Sequence, residues 1–312
     1  MRPTTLDNFF GQPKVVTQLD VIIRSAKSRE QHLDHLLFHG QPGLGKTTLA
    51  QIIANEMNTD CIITSGQTFS RSGDLASILS SLKSHDILFI DEIHQLNLKC
   101  QELLYTAMED NVIDILIGKG VTAKSIRLDI MPFTLIGATT KPDKLSRPLT
   151  DRFIHNFKLE TYPDSEIKRL LMAKLEDLDV TLTDDALNSL VKVSKGTPRI
   201  TLNLLKRLRD HFLLLPQNDF SDHDVKTILL KLGIDDFGLN STERQLLLKL
   251  YDSNAPIGLN SLAAILNENP ASIESYYEPY LLNLGLILRS HKGRLLTPKG
   301  VNYVRSNILN YE

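Results

Sequence analysis

A glycine-rich segment with the spacing of a phosphate-binding loop carries the strongest chemical signal in the chain. Residues 40–47 read G-Q-P-G-L-G-K-T, a full match to G-x-x-x-x-G-K-[ST], between an apolar run and a stretch with helical periodicity. Glycines let backbone N–H groups turn toward an anion, and the N-terminus of the following helix adds its dipole. The lysine supplies charge for the β- and γ-phosphates, and the threonine a hydroxyl for Mg²⁺. The predicted nucleotide-binding residues are Gly40, Gly43, Gly45, Lys46, Thr47 and Thr48.

Two adjacent carboxylates supply the second half of a phosphoryl-transfer site. The apolar run 87–90 is typical of a strand buried in a parallel sheet, and it ends in Asp91 and Glu92. An aspartate at the carboxyl end of such a strand lies beside the phosphate loop and, with Thr47, holds Mg²⁺. The glutamate next to it polarises the attacking water. Alone, the pair is equally consistent with a solvated strand end; with the loop, it predicts Mg²⁺-dependent hydrolysis of ATP.

Composition bounds the function further. The chain has 312 residues, 42% of them hydrophobic, and a formal net charge of −2. This length allows two or three domains, and the balanced charge means that any nucleic-acid contact depends on a local basic patch. Cys61 and Cys100 lack metal-ligand spacing, which favours free thiols in a reducing compartment. No segment resembles a signal or a bilayer span, so we expect a cytoplasmic protein without membrane contact.

Alternating strand and helix patterns up to about residue 162 must position the phosphate loop and the carboxylates. This alternation predicts an α/β domain with a parallel sheet that helices cover on both faces. One segment, 114–129, instead predicts a hairpin around a Gly-Lys-Gly turn, inserted before a strand. The strands predicted for the sheet are 36–39, 61–64, 87–91, 133–138 and 157–159.

Strand patterns stop after Tyr162, and two smaller domains are predicted. The first is all-helical, with amphipathic stretches at 164–177, 183–194, 198–213 and 221–233. The second has three helical stretches, at 240–253, 258–266 and 270–284, and then a two-stranded hairpin around the loop 290–293. Three helices followed by a hairpin indicate a winged helix, a variant of the helix-turn-helix. The predicted domain bounds are 1–162, 163–234 and 235–312.

A series of motifs runs through nearly the whole chain in one order. The motifs are L-D-H-L-L-F-H-G-Q-P-G-L-G-K-T-T-L-A, I-L-F-I-D-E-I-H, A-M-E-D, S-I-R-L-D, P-F-T-L-I-G-A-T-T, D-R-F, G-T-P-R-I and Y-E-P-Y-L. Together they resemble the AAA+ ATPases, and most closely the RuvB family, which drives branch migration of Holliday junctions. The resemblance implies an ATP hydrolase of DNA recombination and repair. It also implies a homo-oligomeric ring, expected to be a hexamer, that acts on Holliday-junction DNA with a RuvA-like partner.

The resemblance also implies roles for single residues. Thr140 matches a sensor of the γ-phosphate, and Arg152 matches an arginine finger that reaches into the neighbouring subunit's site. Arg199 matches a second sensor that ties the helical lid to the phosphates. Further residues matched to the nucleotide site are Arg2, Glu109, Asp110, Asn111 and Tyr162. Arg289 and Arg294 match arginines of the wing that contact DNA.

Each of these matches has a plainer alternative. Thr140 is also an ordinary residue for a strand end, and Arg152 could belong to a surface ion pair that contributes little. Arg199 could cap a helix, and the basic wing could be a solvated turn. The sequence departs from the family pattern at Gln41, Asn111, Ile154 and Lys292.

The inserted hairpin is predicted to dock the RuvA-like partner. A two-stranded insert outside the main sheet cannot bury both faces, so some of its apolar side chains should be exposed. The alternative is that two of them, Ile115 and Ile117, fold back onto the core, as the period-2 pattern allows. The candidate docking residues are Ile115, Leu116 and Ile117.

Two other functions remain open at this point. One is an AAA+ remodeller of the clamp-loader type, whose lid and terminal domain bind protein; such an enzyme has no need of a basic wing. The other is a winged-helix regulator that uses nucleotide only as a switch. Intact Glu92 and Arg152 argue against a pure switch, which could lose both.

Overall fold

The computed structural model describes residues 3–117, 124–178, 180–215 and 219–309, and among these it leaves the side chains of 116, 117, 124 and 125 undescribed. Arg2, predicted to bind nucleotide, and the predicted turn at 118–120 therefore lie outside the described residues. The chain forms two compact units. One comprises Met1–Leu170 with Thr197–Arg199, and the other comprises Leu171–Gly196 with Ile200–Glu312.

A five-stranded parallel sheet forms the centre of the first unit, in the order β2-β3-β6-β1-β7. Its strands match the predicted ones to within about one residue at most ends, and this agreement confirms the predicted α/β class with a parallel sheet. The three middle strands are the most buried ones, because helices cover both faces of the sheet. The strands of this unit are β1 (Leu36–His39), β2 (Cys61–Ser65), β3 (Ile87–Asp91), β4 (Val112–Ile117), β5 (Lys124–Asp129), β6 (Thr134–Thr139) and β7 (His155–Lys158).

Helices alternate with these strands, as the sequence predicted. Asn97 begins α4 by accepting a hydrogen bond from Cys100 N at 2.9 Å, a standard N-cap. Both Cys61 and Cys100 are free thiols, and burial raises the pKa of Cys61 to about 11. The helices are α1 (Pro13–Arg29), α2 (Lys46–Met57), α3 (Ser72–Ser81), α4 (Leu98–Asp110) and α5 (Arg147–Thr150).

The hairpin of β4 and β5 lies outside the sheet, as predicted. The exposed apolar side chains that the structure describes, however, are not on the strand where they were expected. Ile113 is fully buried, and Ile115 is partly buried against the core of the first unit. The exposed apolar side chains belong to the second strand, where Ile126 is 43% and Leu128 is 41% exposed. Of the three candidate docking residues, Ile115 therefore packs on the core, as the alternative allowed, while the side chains of Leu116 and Ile117 are not among those described.

The lid region is helical except for one short strand pair. Thr181–Leu182 (β8) pairs in parallel with Asp219–Phe220 (β9), which the all-helical prediction did not include. A strand of two residues is too short to produce a detectable alternation of polar and apolar positions. The helices are α6 (Asp164–Glu176), α7 (Asp184–Val193), α8 (Pro198–Phe212) and α9 (Asp222–Lys231).

The C-terminal region has the predicted winged-helix layout with two additions. The third predicted helix contains a π-helical segment, Ile273–Tyr277, and a further helix follows the wing. A small core holds these elements together, with Leu246, Leu262 and Leu281 fully buried. The helices are α10 (Ser241–Ser253), α11 (Leu259–Leu266), α12 (Pro270–Ser272), α13 (Glu278–Asn283) and α14 (Pro298–Asn307), and the wing strands are β10 (Ile287–Ser290) and β11 (Gly293–Leu296).

A buried ion pair joins the lid region to the winged helix within the second unit. Both oxygens of Glu243 lie 2.7 Å from Lys195 Nζ, and the glutamate side chain is only 1% exposed. Glu243 also closes the capping box of α10 with Asn240. Because the carboxylate has several partners, breaking the pair would leave a buried charge, which is strongly unfavourable.

Candidate nucleotide site and nucleic-acid interface

The glycine-rich loop connects β1 to α2 and has the backbone that a phosphate site needs. Gly43 and Gly45 have φ values of 84° and 106°, in the left-handed region that favours glycine. A Cβ on Gly45 would lie 2.9 Å from the ring of Phe9, so a side chain would also lack space there. Helix α2 begins at the next residue, Lys46, and directs its free N–H groups at the loop. Thr47 and Thr48 are half-buried in the first turn of the helix.

The ammonium group of Lys46 lies inside this loop. Its Nζ donates to the carbonyls of Gly40 and Gln41, both at 2.9 Å, and the residue is only 7% exposed. Burial lowers the pKa of Lys46, the two carboxylates after β3 oppose that shift, and Arg199 adds to it. A phosphate entering the loop would therefore meet a cation whose hydrogen-bond partners, among the residues that the structure describes, are two neutral carbonyls.

Asp91 and Glu92 stand at the carboxyl end of β3, beside the loop. Asp91 Oδ1 accepts a hydrogen bond from the backbone N–H of Glu92 at 3.0 Å. Glu92 has a φ of 48°, which is uncommon for a residue other than glycine and is found preferentially at functional sites. The hydroxyl of Thr47 and the carboxylate of Asp91 are the hard oxygen ligands that Mg²⁺ prefers.

Two neighbours hold the Glu92 carboxylate. Thr140 donates its hydroxyl to Oε2 at 3.0 Å, so the predicted sensor and the predicted catalytic glutamate are in direct contact. On the other side, His94 Nδ1 lies 3.1 Å from the same oxygen and 2.9 Å from Thr139 Oγ1. His94 belongs to the I-L-F-I-D-E-I-H motif, but no local pattern in the sequence indicates its contact with Glu92.

Tyr162 and Arg199 both lie at the phosphate loop. Tyr162 is 5% exposed, its hydroxyl donates to Leu44 O at 3.3 Å, and burial raises its pKa. The backbone N–H of Arg199 donates to Gly43 O at 3.3 Å. The main chain of the G-T-P-R motif is therefore hydrogen-bonded to the phosphate loop at Arg199. The side chain of this arginine consequently begins next to the loop.

Arg152 has a different environment. Its guanidinium donates to Glu109 Oε2 at 2.6 Å and to Pro148 O at 2.7 Å, and it stacks 4.9 Å above the ring of Tyr105. Within the described residues, Arg152 makes no hydrogen bond or ion pair with the phosphate loop. The side chain is 28% exposed, so part of it faces solvent.

The segment 109–111, also predicted to bind nucleotide, lies near Arg152 and not at the phosphate loop of its own chain. Glu109 is the ion-pair partner just described, and Asn111 ends α4 with a φ of 53°. The carbonyl of Asn111 accepts from Ile130 N at 2.9 Å, which ties the helix end to the base of the hairpin. Arg152 and Glu109 lie in a cleft of about 430 Å³ whose lining residues are His32, Asp34, His35, Met108, Glu109, Asp151, Arg152 and Ile154.

The two wing arginines are close together but are engaged with a buried acid. Arg294 Nε lies 2.6 Å from Glu278 Oε1, and Arg289 NH2 lies 2.6 Å from Glu278 Oε2. Glu278 is fully buried, and Glu274 adds a second carboxylate at 3.7–3.8 Å. The arginine side chains differ in exposure, 41% for Arg289 and 13% for Arg294. The neutralising glutamate lies in the Y-E-P-Y-L motif, where its role could not be predicted without the fold.

Three family models together match nearly the whole chain, from residue 1 to residue 305. Residues 1–159 match the "Holliday junction DNA helicase RuvB P-loop domain", residues 162–235 the "RuvB AAA lid domain", and residues 236–305 the "RuvB C-terminal winged helix domain". Among the described residues, no helix is long and apolar enough to cross a membrane.

Curated and solved relatives agree with these matches. The Holliday junction branch migration complex subunit RuvB of Fervidobacterium nodosum is 43% identical over 311 residues, 99% of this chain and 90% of the relative. The protein of that name from Ehrlichia ruminantium is 42% identical over 310 residues, 99% of this chain and 94% of the relative. The solved Thermotoga maritima RuvB Holliday junction branch migration motor is 40% identical with a TM-score of 0.88, covering 98% of this chain and 99% of that one.

Proposed function

The chain belongs to the RuvB family, and we propose that it is an ATP-driven motor that moves Holliday junctions along DNA during recombination and repair. One observation carries the proposal. In a chain that matches this family over nearly its whole length, the buried Lys46 lies in a glycine loop, and Thr140 holds Glu92 at the adjacent strand end. That arrangement supplies both halves of a phosphoryl-transfer site.

We propose the following division of labour at the nucleotide. The N–H groups at the start of α2 and the Lys46 ammonium bind the β- and γ-phosphates of ATP. Thr47 and Asp91 hold Mg²⁺, which when bound neutralises phosphate charge. Glu92 takes the proton of the attacking water, and Thr140 contacts the γ-phosphate. Residues proposed to complete the pocket are Arg2, Gly40, Gly43, Gly45, Thr48, Tyr162 and Arg199.

Arg152 is proposed to act on the ATP of a neighbouring subunit in a homo-oligomeric ring, expected to be a hexamer. Its position beside Glu109, away from the loop contacts of its own chain, supports that role. Glu109, Asp110 and Asn111 then belong to the same face, where they would border the neighbour's nucleotide. An arginine supplied in this way stabilises charge in the transition state.

DNA and a RuvA-like protein are the proposed partners. The wing supplies the DNA contact, with Arg289 more accessible than Arg294. The hairpin supplies the docking surface, through the exposed Ile126 and Leu128 in addition to Leu116 and Ile117 from the residues predicted from sequence. The proposal includes a cytoplasmic location, where bacterial DNA lies. It also includes domain bounds of 1–162, 163–234 and 235–312, which the three matched ranges support.

The remodeller and the regulator are not favoured. All three matched models belong to the same junction-processing family, including the terminal winged helix. A passive switch has no need for Glu92 and Thr140 to be in contact.

Branch migration of a synthetic four-way junction tests the proposal. The purified chain, with a RuvA-like protein and Mg²⁺–ATP, should convert the labelled junction into duplex products. Lys46→Ala should abolish both this conversion and ATP turnover, because the cationic charge in the loop is lost. ATP turnover without any junction conversion, although the partner is demonstrably bound to the junction, would favour the protein remodeller instead.

A further inference from the structure

We propose that His94 is a positioning residue that holds the carboxylate of Glu92 in place for water activation. The inference rests on the proposed ATPase function and concerns a residue to which that function assigns no role. His94 lies in the short turn Ile93–Gln95 that follows Glu92, and its side chain is 8% exposed.

The proposal assigns the proton of the neutral ring to Nδ1. An ionised carboxylate can only accept, and His94 Nδ1 lies 3.1 Å from Glu92 Oε2, so this tautomer places a donor beside the carboxylate. The same N–H is within 2.9 Å of Thr139 Oγ1, which in turn accepts from the backbone N–H of Lys141 at 3.0 Å. The imidazole is thereby anchored to the fully buried end of β6. Burial also lowers the pKa of His94, which favours the neutral ring.

The second partner of the carboxylate explains why a histidine is needed. The hydroxyl of Thr140 has one proton, and it is now donated to Glu92 at 3.0 Å. In the proposed mechanism that hydroxyl turns to the γ-phosphate when ATP binds, so the carboxylate loses this bond and keeps from Thr140 the longer, 3.5 Å contact with its backbone N–H. In the described part of the chain, His94 makes no hydrogen bond or ion pair with the phosphate loop. It can therefore remain on Glu92 throughout the cycle.

Backbone geometry adds to the need for an anchor. Glu92 has a φ of 48°, so the chain turns sharply at this residue, directly after β3, and its side chain projects from the turn. A carboxylate on such a turn can swing among several rotamers, and a displacement of about 1 Å costs up to about a hundredfold in rate. A fixed N–H on one carboxylate oxygen removes that freedom and leaves the other oxygen for water.

A matched pair of substitutions tests the inference. Asparagine and leucine have similar size, but only asparagine offers an N–H near the position of Nδ1. His94→Leu should lower kcat about tenfold or more while the Kd for ATP stays within about twofold. His94→Asn should recover most of that loss. Equal kcat values for the two variants, or a normal kcat in His94→Leu, would overturn the proposal.

A double-substitution cycle separates positioning from a structural role. Single-turnover hydrolysis should be slow in Glu92→Gln, and adding His94→Leu should slow it no further, because the group that His94 positions is already gone. Multiplicative losses would overturn the proposal. So would a fall in melting temperature or ATP affinity in His94→Leu that matches its loss of turnover. A wild-type chain without ATP turnover would instead contradict the proposed function itself.

Discussion

At the scale of single residues, motif spacing predicted the charged groups of the site but not their supports. Lys46, Asp91 and Glu92 could be found because a strand, a glycine loop and a strand end leave local patterns. The contact of His94 with Thr139 joins positions that are 45 residues apart, and it depends on the strand order that brings β3 beside β6. The burial of a histidine likewise leaves no mark in the sequence, and His35 is the clearest case.

His35 makes the stability of the first unit depend on pH. It is 9% exposed, accepts from Leu135 N at 2.9 Å through Nδ1, and has its pKa lowered from 6.5 to about 4 by burial. Above pH 6.5 the ring is neutral in both folded and unfolded chains. As the pH falls from 6.5 to 4, only the unfolded chain takes up the proton, so the free energy of unfolding decreases. The expected loss from this group is about 2 kcal/mol at pH 5.

Urea unfolding at pH 7 and pH 5 measures this effect. His35→Gln should be less stable than the wild type at pH 7, because its packing beside Phe133 and its two hydrogen bonds change. Its stability should nevertheless fall less between the two pH values. An identical pH dependence in both proteins would assign the effect to other groups.

At the scale of elements, the type of each strand and helix was predictable, whereas the direction of some side chains was not. The run Ile115, Leu116, Ile117 is apolar at every position, so period-2 alternation cannot say which residue faces the core. The structure resolves this for Ile115, which packs inward. Exposed apolar residues lie instead on β5, where Ile126 and Leu128 alternate with charged residues.

Ile126 provides a test of the hairpin as a docking surface. Ile126→Asp places a charge on a side chain that is 43% exposed, so the fold and the basal ATPase should persist. Recruitment to a junction by the RuvA-like partner should fall at least tenfold, since desolvating the new charge opposes docking. Val21→Asp, at a residue of α1 that is 62% exposed, makes the same chemical change elsewhere. If both variants are recruited equally well, Ile126 is not part of the docking surface.

The wing gives different expectations for its two arginines. Arg289→Ala should weaken binding to duplexes of every sequence and lower the slope of log affinity against log salt by about 0.9 per lost phosphate contact. Arg294→Ala removes a largely buried partner of Glu278, so it should chiefly destabilise the winged helix, by about 3 kcal/mol. Salt titrations of DNA binding and thermal melting separate the two effects. Reversed roles would show that exposure in the free chain does not predict the DNA contact.

At the scale of the whole molecule, the order of domains was predictable because each has its own periodicity. Alternating strand and helix, helices alone, and helices before a hairpin are distinct patterns along the chain. The association of the lid region with the winged helix in one compact unit was not predictable. One of the contacts within it pairs Lys195 with Glu243, 48 residues apart, and such a pair has no local signature.

Arg152 provides the test of assembly. The guanidinium is held by Glu109, Pro148 and Tyr105 on a partly exposed surface, so it is ordered before any neighbour arrives. Another subunit's phosphate would compete with Glu109 for it, and its removal should cost about 10³–10⁵ in rate. Neither Arg152→Ala nor Lys46→Ala should hydrolyse ATP alone. Mixed rings should regain activity wherever an intact loop meets an intact arginine.

The dependence of this recovery on composition distinguishes action between subunits from action within one. Recovery should rise and fall with the mixing ratio and reach its maximum near equal amounts of the two variants. An active site needs an intact loop from one variant and an intact arginine from the other, and only one of the possible subunit interfaces combines them. The double variant Arg152→Ala/Lys46→Ala, mixed with wild type, provides the control, since it supplies neither group. Mixed assemblies, verified by differently tagged subunits, that show no recovery at any ratio would place Arg152 in the site of its own chain or in a purely structural pair with Glu109.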